Sequence, residues 1–384
     1  MQARLKENMG YSIKMVDLHG QYIKIKDEID QAIQEVINSS SFINGKAVEA
    51  FALDLANYTG AKYIIPCANG TDALRIAYQV LDLKPGDEVI MPTFNYVASA
   101  EAAALLGLKP VFVDVWEDTF NINENLITER ITPATKAIVV VHLFGQSANL
   151  KPIIEIAHKF GLKVIEDNAQ SLGSDFTFPD GKKLMSGTMG DINTFSFFPT
   201  KNLGCFGDGG ALSTNDKDFA QKAAVISSHG QAYRYEYKMV GCNSRLDTIQ
   251  AAILRVKLRK LNLYIQSRIE AGHRYNKFFR DFFPIVTPSE SEWSKHTYNQ
   301  YVIRLAGRDH VRDLLKDLGI PTMIYYPAPM HLQRAYSYLG YKMGDFPVSE
   351  KLCHEVLALP IHTELTFEEQ EYVANSLIHS INMR

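Results

Sequence analysis

Lys201 stands where an amine could act as a nucleophile. It follows the apolar, β-rich run of residues 194–198 and Pro199. Apolar surroundings disfavour the ammonium form of a lysine, and a neutral amine is what attack on a carbonyl requires. A glycine-rich turn comes next, with Gly204, Gly207, Gly209 and Gly210. Glycines let the backbone approach a bulky flat ligand; as a dinucleotide-binding fingerprint they have the wrong order, and no helix is predicted after them.

Two adjacent carboxylates, Glu166 and Asp167, end another short apolar run, and Gln170 follows them. A carboxylate at the mouth of a buried strand is costly unless it meets a cation or a hydrogen-bond donor. The pair therefore indicates a cationic ligand or, alternatively, a cap on a following helix. For an isolated acidic pair the cap is the better interpretation.

Small polar residues open a predicted helix after the strand-like residues 63–66. Gly70 and Thr71 stand at this helix start, where backbone N–H groups favour a phosphate. Ser196, five residues before Lys201, offers a hydroxyl to the same phosphate. The alternative is a plain N-cap by Asn69 or Thr71.

An aromatic turn follows the strand-like residues 88–91, and either Phe94 or Tyr96 could stack on a flat ligand or pack in the core. Together the four signals predict a phosphate site, a stacking ring, a carboxylate and a lysine at successive strand ends. This combination fits pyridoxal 5′-phosphate (PLP), whose protonated ring nitrogen pairs with an aspartate and whose ring withdraws electrons.

The elements that position these residues alternate along the chain. Short β-rich runs are separated by helical stretches, which is typical of an α/β fold with a mostly parallel, doubly wound sheet and helices on both faces. Strands are predicted at residues 63–66, 88–91, 110–115, 137–142 and 163–165. Ligands of such sheets bind beyond the carboxyl ends of the strands, where the four signals lie.

The 384 residues exceed what one compact core usually fills, so two domains are expected. After Asn243 one long helical stretch is predicted, followed by a smaller α/β unit. We predict an N-terminal extension at residues 1–14, a large PLP-binding domain at 15–264 and a small C-terminal domain at 265–384.

Composition excludes several classes of protein. A net charge of −3 argues against nucleic-acid binding, and no apolar run is long enough to span a membrane. The four cysteines are scattered, without metal or redox spacing, and suit the cytoplasm. No metal site is predicted.

Six segments, taken in order, resemble the DegT/DnrJ/EryC1/StrS family of sugar aminotransferases. The resemblance extends from Val16 to the C-terminus. The segments are NGTDAL (69–74), PTFNYVASAEA (92–102), EDNAQSLGS (166–174), SFFPTKNLGCFGDGGA (196–211), HGQAYRYEYKMVGCNSRLDTIQAAIL (229–254) and YYPAPMHLQRAY (325–336).

The resemblance implies a fold-type I PLP aminotransferase that works as a homodimer with active sites at the interface. Lys201 would bond to the cofactor and relay a proton, Asp167 would face the ring nitrogen, and Gln170 would contact the ring hydroxyl. The remaining assignments by motif position are Gly70, Thr71 and Ser196 at the phosphate, Tyr96 as the stacking ring, Asn243 at the neighbouring subunit's phosphate, and His229 and Arg245 near the substrate entrance.

The resemblance also implies glutamate and a nucleotide-linked keto-sugar as substrates. Residues 229–247 resemble members that aminate C-3, closest to UDP-2-acetamido-2-deoxy-3-oxo-glucuronate aminotransferases, more than C-4 enzymes. Where those enzymes read His-Tyr-Pro, this chain has Tyr325, Tyr326 and Pro327, so one histidine contact to substrate is missing. The alternatives are C-4 amination and a non-catalytic regulatory protein on the same fold. A sugar dehydratase of this fold would carry histidine in place of Lys201.

Overall fold

Residues 12–383 are described by a computed structural model of the protein. Most of the extension predicted at residues 1–14 therefore lies outside the described residues. In the described part of the chain, no helix combines the length and the apolar character needed to cross a membrane.

Thirteen strands and twelve α-helices make up the described chain. The strands are β1 Tyr63–Cys67, β2 Glu88–Pro92, β3 Lys109–Val113, β4 Thr135–Val141, β5 Lys163–Asp167, β6 Asp175–Thr177, β7 Lys183–Met185, β8 Ile192–Ser196, β9 Gly210–Thr214, β10 Gln231–Tyr233, β11 Glu236–Tyr237, β12 Tyr301–Arg304 and β13 Val356–Leu359. The helices are α1 Leu18–Ile23, α2 Lys26–Ser39, α3 Lys46–Thr59, α4 Gly70–Val80, α5 Ala98–Leu105, α6 Leu150–Phe160, α7 Lys217–Ser227, α8 Thr248–Leu258, α9 Leu261–Phe279, α10 Arg308–Asp317, α11 Pro347–Glu355 and α12 Phe367–Asn382.

A seven-stranded sheet forms the centre, in the order β1-β9-β8-β5-β4-β2-β3. Strands β8, β5, β4, β2 and β3 pair in parallel. Strand β9 is antiparallel to both of its neighbours, β1 and β8. The predicted mostly parallel sheet is therefore confirmed, and the carboxyl ends of its parallel strands meet at one edge.

Strand β4 shows why these strands read as continuous apolar runs. Ile138 and Val140 pack on one face with Ile153 of α6, whereas Val139 packs on the other face with Ala77 of α4. Because helices cover both faces, both sets of alternating side chains are buried.

The prediction of one long helix after Asn243 is wrong in one respect. The chain forms two helices, α8 and α9, with a break at Arg259 and Lys260. Leu258 and Leu261 on either side of the break pack in the same core cluster. Their spacing of three residues also fits an unbroken helix, so the apolar pattern could not reveal the break.

A second apolar cluster lies in the C-terminal part of the chain. It includes Tyr275 of α9, Val311 of α10, Leu357 of β13 and Leu377 of α12. The predicted boundary at residues 264 and 265 falls inside α9, and the division into two domains stays a prediction.

Candidate active site

Lys201 lies in the tight turn that follows β8, and its side chain is partly buried. The turn is held by backbone hydrogen bonds, from the Lys201 N–H to the Phe198 carbonyl (2.9 Å) and from the Cys205 N–H to the Phe197 carbonyl (2.8 Å). Burial lowers the pKa of Lys201 to about 8, and the nearby Asp167 carboxylate opposes this shift only in part. The amine is therefore far easier to deprotonate than that of a solvated lysine.

Asp167 is the last residue of β5, the strand next to β8 in the sheet. Its Oδ1 accepts a hydrogen bond from the Ala169 N–H (3.1 Å), and its Oδ2 accepts one from the Ser99 hydroxyl (3.1 Å). Burial raises the pKa of Asp167, although the Ala169 N–H, the Lys201 charge and the Ser99 hydroxyl act in the opposite direction.

The two groups face the same cavity, which has a volume of about 570 Å³ and lies at the carboxyl edge of the parallel strands. Nine of the predicted site residues line it. They are Gly70, Thr71, Tyr96, Asp167, Gln170, Ser196, Lys201, Tyr325 and Tyr326. The structure thus brings together residues that lie up to 256 positions apart, from Gly70 to Tyr326.

The start of α4 forms one end of this cavity. Asn69 is the N-cap, and its side-chain oxygen accepts a hydrogen bond from the Asp72 N–H (2.8 Å). The N-cap formed by Asn69 therefore does not exclude a phosphate site at the start of α4. A Cβ added at Gly70 would lie 2.8 Å from the Cβ of Ser196, so only glycine permits these two residues to come this close. The first-turn N–H groups and the Ser196 hydroxyl form a donor set that suits a phosphate.

The structure separates the two candidate stacking rings. Phe94 is fully buried and packs against Phe120 and Phe144, at centroid distances of 6.0 and 6.5 Å. Tyr96 is 57% exposed and lines the cavity. Of these two rings, Tyr96 is the one that a ligand can reach.

Gln170 lines the same cavity. Its side-chain oxygen accepts a hydrogen bond from the Phe144 N–H (2.9 Å), and its amide donates to the Tyr326 hydroxyl (3.1 Å). These bonds fix the amide next to the second tyrosine of the Tyr325-Tyr326-Pro327 segment.

The residue predicted at the neighbouring subunit's phosphate, Asn243, and the two predicted near the entrance, Arg245 and His229, do not line this cavity. Asn243 and Arg245 line a second cavity of about 400 Å³, which shares Asn69 and Asp208 with the first. The Arg245 Nε atom is buried and has no hydrogen-bond partner among the described residues. His229 is exposed, lines neither cavity, and donates its backbone N–H to the Cys242 carbonyl (2.8 Å).

Glu166 and Asp167 have different surroundings, because neighbouring residues of a strand point to opposite faces of the sheet. Its carboxylate accepts hydrogen bonds from the N–H groups of Gly187 (2.8 Å), Met189 (2.5 Å) and Gly190 (2.6 Å) and contacts the His142 Nε2 atom (2.8 Å). The helix-capping alternative for the acidic pair is wrong, since turns and then β6 follow β5 in the described chain.

The sequence interpretation missed Ser99, which touches Asp167 directly. Its only signal was its position, three residues after Tyr96, in what the structure shows to be the first turn of α5. Asp208 and Gln300 also line the cavity without having been predicted.

A lysine with a lowered pKa and a buried carboxylate lie at the carboxyl edge of a mostly parallel sheet, beside a helix start whose N–H groups suit a phosphate. This combination is that of a PLP-dependent aminotransferase. The sequence model of the DegT/DnrJ/EryC1/StrS aminotransferase family matches residues 23–378. The chain belongs to this family.

Two relatives are each 44% identical to this chain over the aligned residues. One is a UDP-2-acetamido-2-deoxy-3-oxo-D-glucuronate aminotransferase from Pseudomonas aeruginosa, with 92% of this chain and 96% of the relative aligned. The other is a pleiotropic regulatory protein from Geobacillus stearothermophilus, with 95% and 98% aligned. A crystal structure of NtdA from Bacillus subtilis with the bound cofactor PMP has a TM-score of 0.86, with 32% identity over 94% of this chain and 82% of that chain.

Proposed function

We propose that this aminotransferase moves the amino group of glutamate onto C-3 of a nucleotide-linked 3-keto-sugar, with UDP or dTDP as the nucleotide. The observation that carries this proposal is the meeting of Lys201 and Asp167 at one cavity, at the ends of adjacent strands. The position of amination is supported by the name of the Pseudomonas aeruginosa relative, which acts on a 3-oxo sugar.

The residues that line the cavity offer a suitable contact for each functional group of PLP. We assign Gly70, Thr71 and Ser196 to the phosphate, Tyr96 to the ring face, Asp167 to the ring nitrogen and Gln170 to the ring hydroxyl, while Lys201 binds the aldehyde carbon. When bound, PLP carries the amino group between the two half-reactions and withdraws electrons from the carbon that loses its proton.

Lys201 acts as the base and acid of both half-reactions. The amino group of glutamate would first take the place of Lys201 on the cofactor, which frees the lysine amine. With a pKa near 8, this amine is partly neutral at physiological pH and takes the α-proton of glutamate at Nζ. The same atom returns a proton, and 2-oxoglutarate leaves with a keto oxygen supplied by water. The keto-sugar then binds and loses its keto oxygen as water, and Lys201 moves a proton in the opposite direction, which leaves an amino-sugar. Asp167, buried and held by two donors, keeps a negative charge beside the ring nitrogen.

We further propose a homodimer in which Asn243 reaches the neighbouring subunit's phosphate and Arg245 and His229 lie near the entrance for the nucleotide-sugar. The buried Arg245 Nε atom has no hydrogen-bond partner among residues 12–383, which supports a ligand or a second chain at this place. Tyr325 and Tyr326 would contact the sugar. A cytoplasmic site of action, in amino-sugar synthesis for lipopolysaccharide or O-antigen, completes the proposal, and the four free cysteines agree with a reducing compartment.

One experiment tests the reaction and its position. The purified protein is reacted with glutamate, and the resulting amino form is incubated with UDP- and dTDP-linked 3-keto- and 4-keto-sugars. We expect a new amine at C-3, mapped by NMR, and Lys201→Ala should reduce turnover by roughly 10³-fold. An amine at C-4 would refute the position, and full turnover by Lys201→Ala would refute the mechanism.

The Geobacillus stearothermophilus relative favours one alternative, a regulatory protein that binds without catalysis. The absorbance of the purified protein distinguishes the two functions. A catalyst should be yellow when purified, and glutamate should shift its absorbance to that of the amino form. A protein that only binds should show no such shift.

A further inference from the structure

The Asp167 carboxylate is held by one donor at each oxygen. The backbone N–H of Ala169 donates to Oδ1. The hydroxyl of Ser99 is the side-chain donor and lies 3.1 Å from Oδ2. Ser99 is only 1% exposed and Asp167 only 6%, so water has little access to this contact. A hydrogen bond from a hydroxyl to a buried carboxylate is among the stronger ones in a protein.

The direction of the Ser99 hydroxyl proton is fixed by a second side chain. The Asn95 amide nitrogen donates to the Ser99 oxygen at 3.2 Å. Because an amide nitrogen can only donate, the serine oxygen is the acceptor there, and its own proton is directed at Asp167. Asn95 therefore donates to Ser99, and Ser99 donates to Asp167, so both hydrogen bonds point toward the carboxylate.

The backbone of Ser99 is also anchored. Its carbonyl accepts a hydrogen bond from the hydroxyl of Tyr78 (2.9 Å), a residue of α4 that is fully buried. Ser99 lies in the first turn of α5, so two helices and the loop after β2 determine where its hydroxyl lies. Such fixed support is what holds a functional carboxylate in one rotamer.

The charged and titratable groups near Asp167 come from four directions. Lys201 in the turn after β8 and His142 after β4 favour the anion, whereas Tyr78 on α4 and Tyr326 face it as neutral phenols whose own pKa values are raised. Burial is the largest influence and favours the protonated carboxyl. The Ser99 hydroxyl opposes burial at short range without adding a charge.

We propose that Ser99 is a positioning residue of the aminotransferase reaction, whose hydroxyl keeps the Asp167 carboxylate ionised and in the rotamer that faces the cofactor's ring nitrogen. This inference rests on the proposed function, since it gives the carboxylate that partner. It adds a residue on α5 that does not touch the reacting atoms.

The test is Ser99→Ala in the holoenzyme, with PLP labelled by ¹⁵N at the ring nitrogen. We expect the ¹⁵N signal to move toward that of the unprotonated ring and the dissociation constant of PLP to rise about tenfold, as expected for one hydrogen bond to a charged group. The kcat should fall by a similar factor, with little change in the KM for glutamate. Ser99→Thr, which keeps the hydroxyl, should restore the ¹⁵N signal.

A matched control is Ser171→Ala. Ser171 is also fully buried and donates its hydroxyl to the His142 carbonyl (2.7 Å), but its hydroxyl makes no hydrogen bond to Asp167. Its loss should leave the ¹⁵N signal where it is. If Ser99→Ala leaves the signal and the PLP affinity unchanged, or if Ser171→Ala shifts them equally, the inference is overturned.

A second variant keeps the inference testable if Ser99→Ala does not fold. Asn95→Ala removes the donor that orients the serine, so the ¹⁵N signal should move in the same direction by a smaller amount, and no movement would overturn the inference. Failure of the proposed function gives a different result, because the wild-type protein itself would then show no reaction with glutamate.

Discussion

Two lysines within residues 12–383 have a pKa of about 8, but only one of them is accessible to a ligand. Burial lowers the pKa of both Lys201 and Lys257. Lys257 is 3% exposed, donates to the Gly204 carbonyl (2.6 Å) and contacts the Phe206 ring, whereas Lys201 lines the cavity. At the scale of the residue, a lowered pKa therefore marks a reactive amine only where a ligand can reach it.

This difference predicts a pH profile for cofactor capture. A lysine reacts with an aldehyde only through its neutral amine. The rate at which the cofactor-free protein takes up PLP should therefore rise with pH. Because the pKa of Lys201 is lowered, the midpoint should lie near pH 8, the value for the buried amine, and not near 10.5. Stopped-flow absorbance from pH 6 to about 10 measures it.

The control for that profile is Lys257→Met, which removes the other lysine with a low pKa. The midpoint should stay near pH 8, and Lys201→Ala should remove the reaction. A midpoint that follows Lys257 would contradict the assignment of Lys201.

At the scale of the element, Glu166 connects β5 to the turn at residues 187–190. The His142 Nδ1 atom accepts a hydrogen bond from the Ala148 N–H (3.1 Å), so the ring proton is on Nε2 and is donated to Glu166. Burial alone would raise the pKa of Glu166, but hydrogen bonds from His142, Gly187 and Gly190 lower it below the ordinary value. The strand that carries Asp167 is thereby held on its opposite face.

Replacing Glu166 by glutamine should therefore destabilise the fold. The new amide N–H₂ would face backbone N–H groups, which leaves buried donors without acceptors and should lower the free energy of unfolding by about 3 kcal/mol. Urea denaturation at pH 7 measures this. The control is Glu155→Gln, whose side chain is 61% exposed and pairs with Lys151 on the surface; it should change stability by less than about 0.5 kcal/mol.

The same carboxylate predicts the direction of a pH effect. Because its folded-state pKa lies below the unfolded value, its contribution to stability is present above the unfolded pKa and is lost as pH falls through the folded pKa. The difference in unfolding free energy between wild type and Glu166→Gln should accordingly shrink on acidification below about pH 4. A constant difference down to pH 2 would contradict the assignment.

The elements also show what the sequence can and cannot predict. The strands ending at Asp167 and Ser196 were predictable because parallel strands buried on both faces read as apolar runs. The contact of Ser99 with Asp167 spans 68 positions and depends on how α5 packs, which no local pattern records. The partners of Glu166 were missed for the same reason, since His142 and the turn at 187–190 come from other parts of the chain.

At the scale of the whole molecule, the proposed active site needs two chains. Asn243 and Arg245 line a cavity that adjoins the one with Lys201, and the resemblance assigns Asn243 to the neighbouring subunit's phosphate. If so, Lys201 and Asn243 of one complete site belong to different copies. Such an arrangement can be tested by complementation, because two damaged chains can together form one intact site.

We predict that Lys201→Ala and Asn243→Ala, each with little activity alone, regain activity when mixed. After unfolding and refolding at equal concentrations, half of the dimers contain both chains, and one of their two sites combines an intact Lys201 with an intact Asn243. About a quarter of the wild-type activity should therefore return. Mixing each variant with itself through the same refolding is the control. Activity equal to the mean of the two separate variants would show that Asn243 serves its own chain, and the shared site would have to be abandoned.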